Sequence, residues 1–105
     1  MKLRVGQTLV STVDTTAVIV VRAGAGADEV AISCGGAAMV DSAAAADAPR
    51  GVAEPGQQDG TLLGKRYADD ELGLELLVTK PGAGTLAANG RPLPVRGARP
   101  LPASD

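Results

Sequence analysis

Histidine is absent from the 105-residue chain, cysteine occurs once, at Cys34, and Tyr67 is the sole aromatic residue. Each shortage excludes chemistry. Structural zinc requires four Cys or His ligands and the chain offers one, and iron–sulfur and haem ligation fail on the same count. Ser–His–Asp and Cys–His nucleophilic catalysis lack their base. Stacking of nucleic-acid bases needs aromatic platforms that Tyr67 alone does not provide. A lone cysteine forms no internal disulfide, which fits a reducing compartment. The longest apolar run, residues 17–21, is far short of the ~20 residues of a membrane helix. The opening Met-Lys-Leu-Arg-Val-Gly-Gln has no apolar stretch of the secretory kind. A cytoplasmic protein without metal or cofactor is the expectation.

Apolar residues make up 45% of the chain, yet 19 of them are alanine and only 26 residues are Val, Leu, Ile or Met. The core must be small and aliphatic, with one domain over 1–105 as the default. The formal charge of −2 gives no global reason to bind nucleic acid or an anionic membrane. The distribution is uneven. Residues 41–75 carry eight acids, whereas residues 81–104 carry Arg91, Arg96 and Arg99 and no acid. These three arginines are the candidate interaction residues, able to pair with the acidic middle within one molecule or between copies. Three cations on an acidic protein support only weak, salt-sensitive contact with phosphates.

The apolar pattern reads as β throughout. Val18, Ile19, Val20 and Val21 are contiguous and β-branched, which suits a strand buried on both faces. Leu3, Val5, Thr8, Val10 and Val13 fit an earlier strand pair interrupted by Gly6. Val30, Ile32 and Cys34 alternate onto one face before Gly35-Gly36, after which residues 37–40 return as a short strand. Residues 41–60 hold little that is large enough to bury and read as a long mobile loop, with one helical turn at 43–46. Residues 61–67 read as a strand, and Leu72, Leu74, Leu76 and Val78 share one face of the next. Asn89-Gly90 between residues 85–88 and 91–96 signals a hairpin with a type I′ turn, and Pro92 and Pro94 confine its second arm to an edge. Residues 97–105 read as an extended tail. About seven short strands with this spacing predict a small all-β barrel or sandwich.

Several motifs come close to known chemistry. Gly60-Thr-Leu-Leu-Gly64-Lys65-Arg66 is one residue short of a phosphate loop and has Arg66 at the magnesium-binding position. Asp69-Asp70-Glu71 with Glu75 is the one carboxylate cluster, without calcium-loop spacing. Cys34 has no local Lys or Arg to lower its pKa, the pattern of a buried structural thiol. Should the scaffold close into a barrel, Cys34, Lys65 and Tyr67 are the polar groups for a small ligand in its mouth.

Val13-Asp14-Thr15-Thr16-Ala17 resembles the hydrophobic-Asp-Thr-Gly-Ala signature of retroviral-type aspartic proteases, and Leu62-Leu63-Gly64-Lys65 resembles their later apolar-apolar-Gly element. That resemblance implies Asp14 as a catalytic carboxylate sharing a proton with its mate in a homodimer. Thr16 stands where the family has the glycine of its catalytic loop. Cys34-Gly35-Gly36-Ala37-Ala38-Met39-Val40 resembles a zinc-ribbon knuckle and the similar Cys-Gly-Gly-x-x-Met stretch of small bacterial proteins. It implies a ribbon-like β scaffold, with no zinc because the other ligands are missing. The leading expectation is a non-enzymatic interaction or accessory protein, self-associating or bound to a partner protein. The protease-like dimer and the ligand-binding barrel are the alternatives.

Overall fold

The computed structural model describes residues 3–24, 30–47, 51–56, 58 and 60–96. Among these residues ten strands form two open antiparallel sheets that face each other as a sandwich and do not close into a barrel. Strands β1 (Thr8–Val10), β2 (Ala17–Ala23), β5 (Val40–Asp41), β6 (Arg66–Asp69), β7 (Leu74–Lys80) and β10 (Val95–Arg96) make a six-stranded sheet ordered β10-β6-β7-β2-β1-β5. Strands β3 (Ile32–Cys34), β4 (Ala37–Ala38), β8 (Leu86–Ala88) and β9 (Arg91–Pro92) make the second sheet, ordered β4-β3-β8-β9. Four of the ten strands are two residues long because the segments read as single strands over 37–40 and 91–96 each break where the chain changes sheet, at Met39 and at Leu93.

The contiguous β-branched run becomes β2. Its Val18 and Val20 are fully buried while Ile19 and Val21 stay half-buried on the outer face, so this strand has one core face. Leu9, Val18, Val20, Leu74, Leu76 and Val78 of the large sheet meet Val30, Ile32, Cys34 and Leu86 from the other side in one aliphatic cluster. Burying each such Leu or Val is worth about 1.5–3 kcal/mol. Two chain crossings tie the sheets at buried residues. Met39 passes between β4 and β5, its N–H on the Ile32 carbonyl at 2.8 Å, and Leu93 passes between β9 and β10, its N–H on the Leu86 carbonyl at 2.9 Å.

The Asn89-Gly90 hairpin forms with Ala88 opposite Arg91. Asn89 (φ 51°) and Gly90 (φ 82°) both take the left-handed conformation of a type I′ turn. The Asn89 carboxamide oxygen also accepts the Ala31 N–H at 2.9 Å. The second arm, predicted to lie on an edge, divides into two edge strands, β9 with Pro92 on the small sheet and β10 on the large one.

Within residues 41–60, Asp41 ends β5 and accepts the Ala43 N–H at 2.8 Å, starting a 3-10 helix over Ser42–Asp47. Beyond it the irregular chain is held by Gly51 N–H on the Thr12 carbonyl (2.9 Å) and Glu54 N–H on the Gly35 carbonyl (2.8 Å). The predicted strand over 61–67 starts only at Arg66. Thr61 makes an isolated bridge to Gly82, and residues 62–65 form a turn. The predicted tail over 97–105 lies outside the described residues. Among the described residues no helix is long and apolar enough to cross a membrane.

Candidate functional site

Asp14 stands where the β1–β2 connection meets the β7–β8 connection. Its Oδ1 accepts the Thr16 N–H at 2.9 Å, an Asx turn that an acid followed by two β-branched residues forms locally. Its Oδ2 reaches 70 residues onward to accept the Gly84 N–H at 2.8 Å. Ser11 supports the loop from below, its Oγ accepting the N–H groups of Val13 and Asp14 at 3.1 and 3.2 Å. Thr61 closes the far side by donating its hydroxyl to the Gly84 carbonyl at 2.7 Å. Cys34 lies beneath, fully buried, its Sγ 3.9 Å from both Asp14 carboxylate oxygens.

The electrostatics follow from these contacts. Partial burial pushes the Asp14 carboxyl up, but the Thr16 and Gly84 N–H groups, with the Thr16 and Ser11 hydroxyls, outweigh it and hold the group below its ordinary value. Burial pushes the Cys34 thiol up. The Asp14 charge adds to that, and the hydroxyls of Thr16, Ser11 and Thr61 only partly offset it. The Thr16 hydroxyl is buried without a hydrogen bond of good geometry, although it lies near enough to both groups to favour their anionic forms. The result is an ionised carboxylate beside a protonated thiol, the reverse of an activated cysteine.

This packing also accounts for the departure from the protease signature. Asn89 is the only non-glycine with positive φ among the described residues, so the Thr16 position does not demand glycine. Its side chain packs against Gly82, where a Cβ would collide with the Thr16 hydroxyl. Close approach instead requires glycine at 84, where a Cβ would stand 2.8 Å from Cys34 Sγ and from the Gly35 nitrogen. The Leu62-Leu63-Gly64-Lys65 element does not line the Asp14 loop. It is the exposed turn before β6.

Cys34, Lys65 and Tyr67 are not brought together. Tyr67, on β6, is buried, and its hydroxyl accepts the Leu62 N–H at 3.0 Å. It borders a groove of about 300 Å³ with Leu62, Leu86, Leu93 and Val95, which neither Cys34 nor Lys65 lines. Lys65 is exposed in the adjoining turn. That turn is fixed by Gly64 N–H on the Val78 carbonyl and Val78 N–H on the Lys65 carbonyl, both at 3.0 Å. It carries Leu62 at 56% and Leu63 at 61% exposure.

Of the three arginines, Arg91 pairs within the molecule, its Nη2 3.2 Å from Asp69 Oδ2 and its Nη1 3.2 Å from Glu71 Oε1. Arg96 sits in β10 opposite Arg66, and Arg99 lies outside the described residues. The adjacent Leu62 and Leu63 escaped sequence reasoning because they fit a strand pattern. The clue was Gly64, which takes a φ of 77° and turns the chain. Among the described residues no group of three or more His, Cys, Asp or Glu is placed to hold a metal ion. Comparison of the chain with family models, curated proteins and solved structures found no match.

Proposed function

We propose that this chain is a non-enzymatic interaction protein whose sandwich presents the Leu62–Leu63 turn to another protein. The observation that carries the reading is two adjacent leucines more than half exposed on a hydrogen-bonded turn, at the rim of a groove floored by Leu86, Leu93 and Tyr67. Apolar side chains held rigidly in water gain by desolvation on binding and lose little conformational entropy, the combination that marks an anchor. Asp14 stands outside this function. Both its oxygens are engaged by donors from two loops, which suits a joint between loops better than a carboxylate awaiting a dimer mate.

The test is site-specific photo-cross-linking in cells that encode the protein, with the photoreactive residue at Leu63 and, as a control, at exposed Val52. A discrete protein adduct formed from position 63, absent from position 52 and lost with Leu62→Ser, is the expected result. An adduct between two copies of this chain identifies self-association. No adduct from position 63, or the same adducts from both positions, overturns the reading.

A further inference from the structure

The outer face of the six-stranded sheet has a charge pattern that the opening composition hides. Register places Val10, Ile19 and Leu77 on this face, all half-buried, because their neighbours Leu9, Val18, Val20, Leu76 and Val78 fill the core. Two bulges between β2 and β7 then decide the charges. Val20 pairs with Leu76 but Arg22 pairs with Glu75, leaving Val21 as an extra residue. Val18 pairs with Val78 but Ala17 pairs with Lys80, leaving Thr79 extra. Strict alternation from buried Val20 and Val78 would turn Arg22 and Lys80 inward. Each bulge adds one residue and returns the cation to the outer face, the re-aiming for which bulges are known. Arg66 joins them from β6, opposite Leu77. The one acid at an outward register position among the described residues is Glu75, which is buried and paired with Arg66 at 3.4 Å. Among the described residues no side-chain hydrogen bond or ion pair engages Arg22 or Lys80.

We infer that this face, continuous through Arg66 and Lys65 with the Leu62–Leu63 turn, docks a partner-protein segment carrying carboxylates around an aliphatic centre. The inference rests on the proposed interaction function and adds the chemistry of the partner. Charge complementarity selects the occupant. A second copy docking by the same face would set Arg22, Arg66 and Lys80 against themselves, and like charges in register are repulsive. Single-stranded nucleic acid would need stacking platforms, and the sole aromatic is buried in the core; a duplex would be held through its phosphates by only a few cations of an acidic chain, a weak and salt-sensitive contact. A membrane would need protruding apolar side chains, whereas these lie half-buried between the strands.

The test is an amide chemical-shift titration of the full chain with a decapeptide of alternating Val and Glu, run beside its Val–Lys counterpart. Expected are shifts at Val10, Ile19, Val21 and Leu77 with the acidic peptide only. The double variant Arg22→Gln/Lys80→Gln, which removes both charges at exposed positions without setting an acid opposite Glu75 and so keeps the wild-type melting temperature, is expected to weaken binding about tenfold or more. Equal binding of both peptides, indifference to the double variant, or tighter binding of a DNA oligonucleotide or anionic vesicles overturns the inference. Shifts confined to Leu62, Leu63 and the groove, with a position-63 adduct intact, overturn it while sparing the interaction function. Loss of that adduct removes both.

Discussion

Replacing Asp14 by alanine tests whether the carboxylate is a joint between loops. Two charge-assisted hydrogen bonds disappear, to Thr16 N–H at 2.9 Å and Gly84 N–H at 2.8 Å, and both donors belong to buried residues. Hydrogen bonds to a charged group contribute about 1.5–3 kcal/mol each, and the half-buried position of Asp14 places the pair near the lower end. Asp14→Ala should therefore cost about 3 kcal/mol, and Asp14→Asn, which keeps one acceptor, about 1.5–2 kcal/mol. Urea unfolding followed by far-ultraviolet circular dichroism measures both, with unchanged m-values as the sign of an intact reference state. The pH dependence fixes the cause. A carboxyl held below its ordinary value of 3.8 stabilises the fold above that pH and loses its contribution as pH falls through the lowered, folded value. The gap between wild type and Asp14→Ala should be constant near neutrality and close only below about pH 3.8. An Asp14→Ala cost under about 1 kcal/mol, or a gap that closes nearer neutrality, refutes the reasoning.

Three further perturbations probe the same framework. Gly84→Ala places a Cβ 2.8 Å from Cys34 Sγ and should lower stability by about 1–3 kcal/mol, whereas Gly51→Ala, whose Cβ meets only Val13 at 3.6 Å, should stay within about 0.5 kcal/mol of wild type by thermal melting. The Cys34 thiol should alkylate with iodoacetamide on the order of 100-fold more slowly in the native protein than in urea, because burial and the Asp14 charge keep it protonated. Asn89→Ala should cost about 2 kcal/mol in urea unfolding, combining a left-handed conformation that alanine resists with loss of the acceptor for Ala31 N–H.

What the sequence disclosed was whatever one residue or one alternation encodes locally. Asn89-Gly90 dictates its own turn because both residues tolerate positive φ, and Leu74, Leu76 and Val78 share the core face that their spacing announces. The strand start at Arg66 was hidden. Leu62 and Leu63 have strand-like composition, but pairing with β7 stops the chain at Gly64, and that information sits on another strand. The two bulges were equally hidden, since one extra residue in a pairing register leaves no mark on either strand read alone.

The candidate site divides along the same line. Asp14 stood out because Val13-Asp14-Thr15-Thr16-Ala17 resembles a protease signature, yet its second oxygen is engaged by a glycine 70 positions away that no local spacing connects to it. Arg22 and Lys80 attracted no notice, since isolated cations at strand ends are ordinary. They gain meaning only when register places them on one face with Arg66. In a chain without histidine, the face on which these cations stand is thus set by pairing geometry. That has a measurable consequence: deleting the extra residue Val21 should set Arg22 directly after buried Val20, still opposite Glu75 and still on the outer face. The deletion should therefore cost no more than about 1–2 kcal/mol in urea unfolding, and Arg22→Ala on the intact strand should stay within about 0.5 kcal/mol of wild type. A deletion costing about 3 kcal/mol or more, as expected of an unpaired charge turned into the core, would show that the register does not set the direction of Arg22, and the outer-face assignment would fall with it.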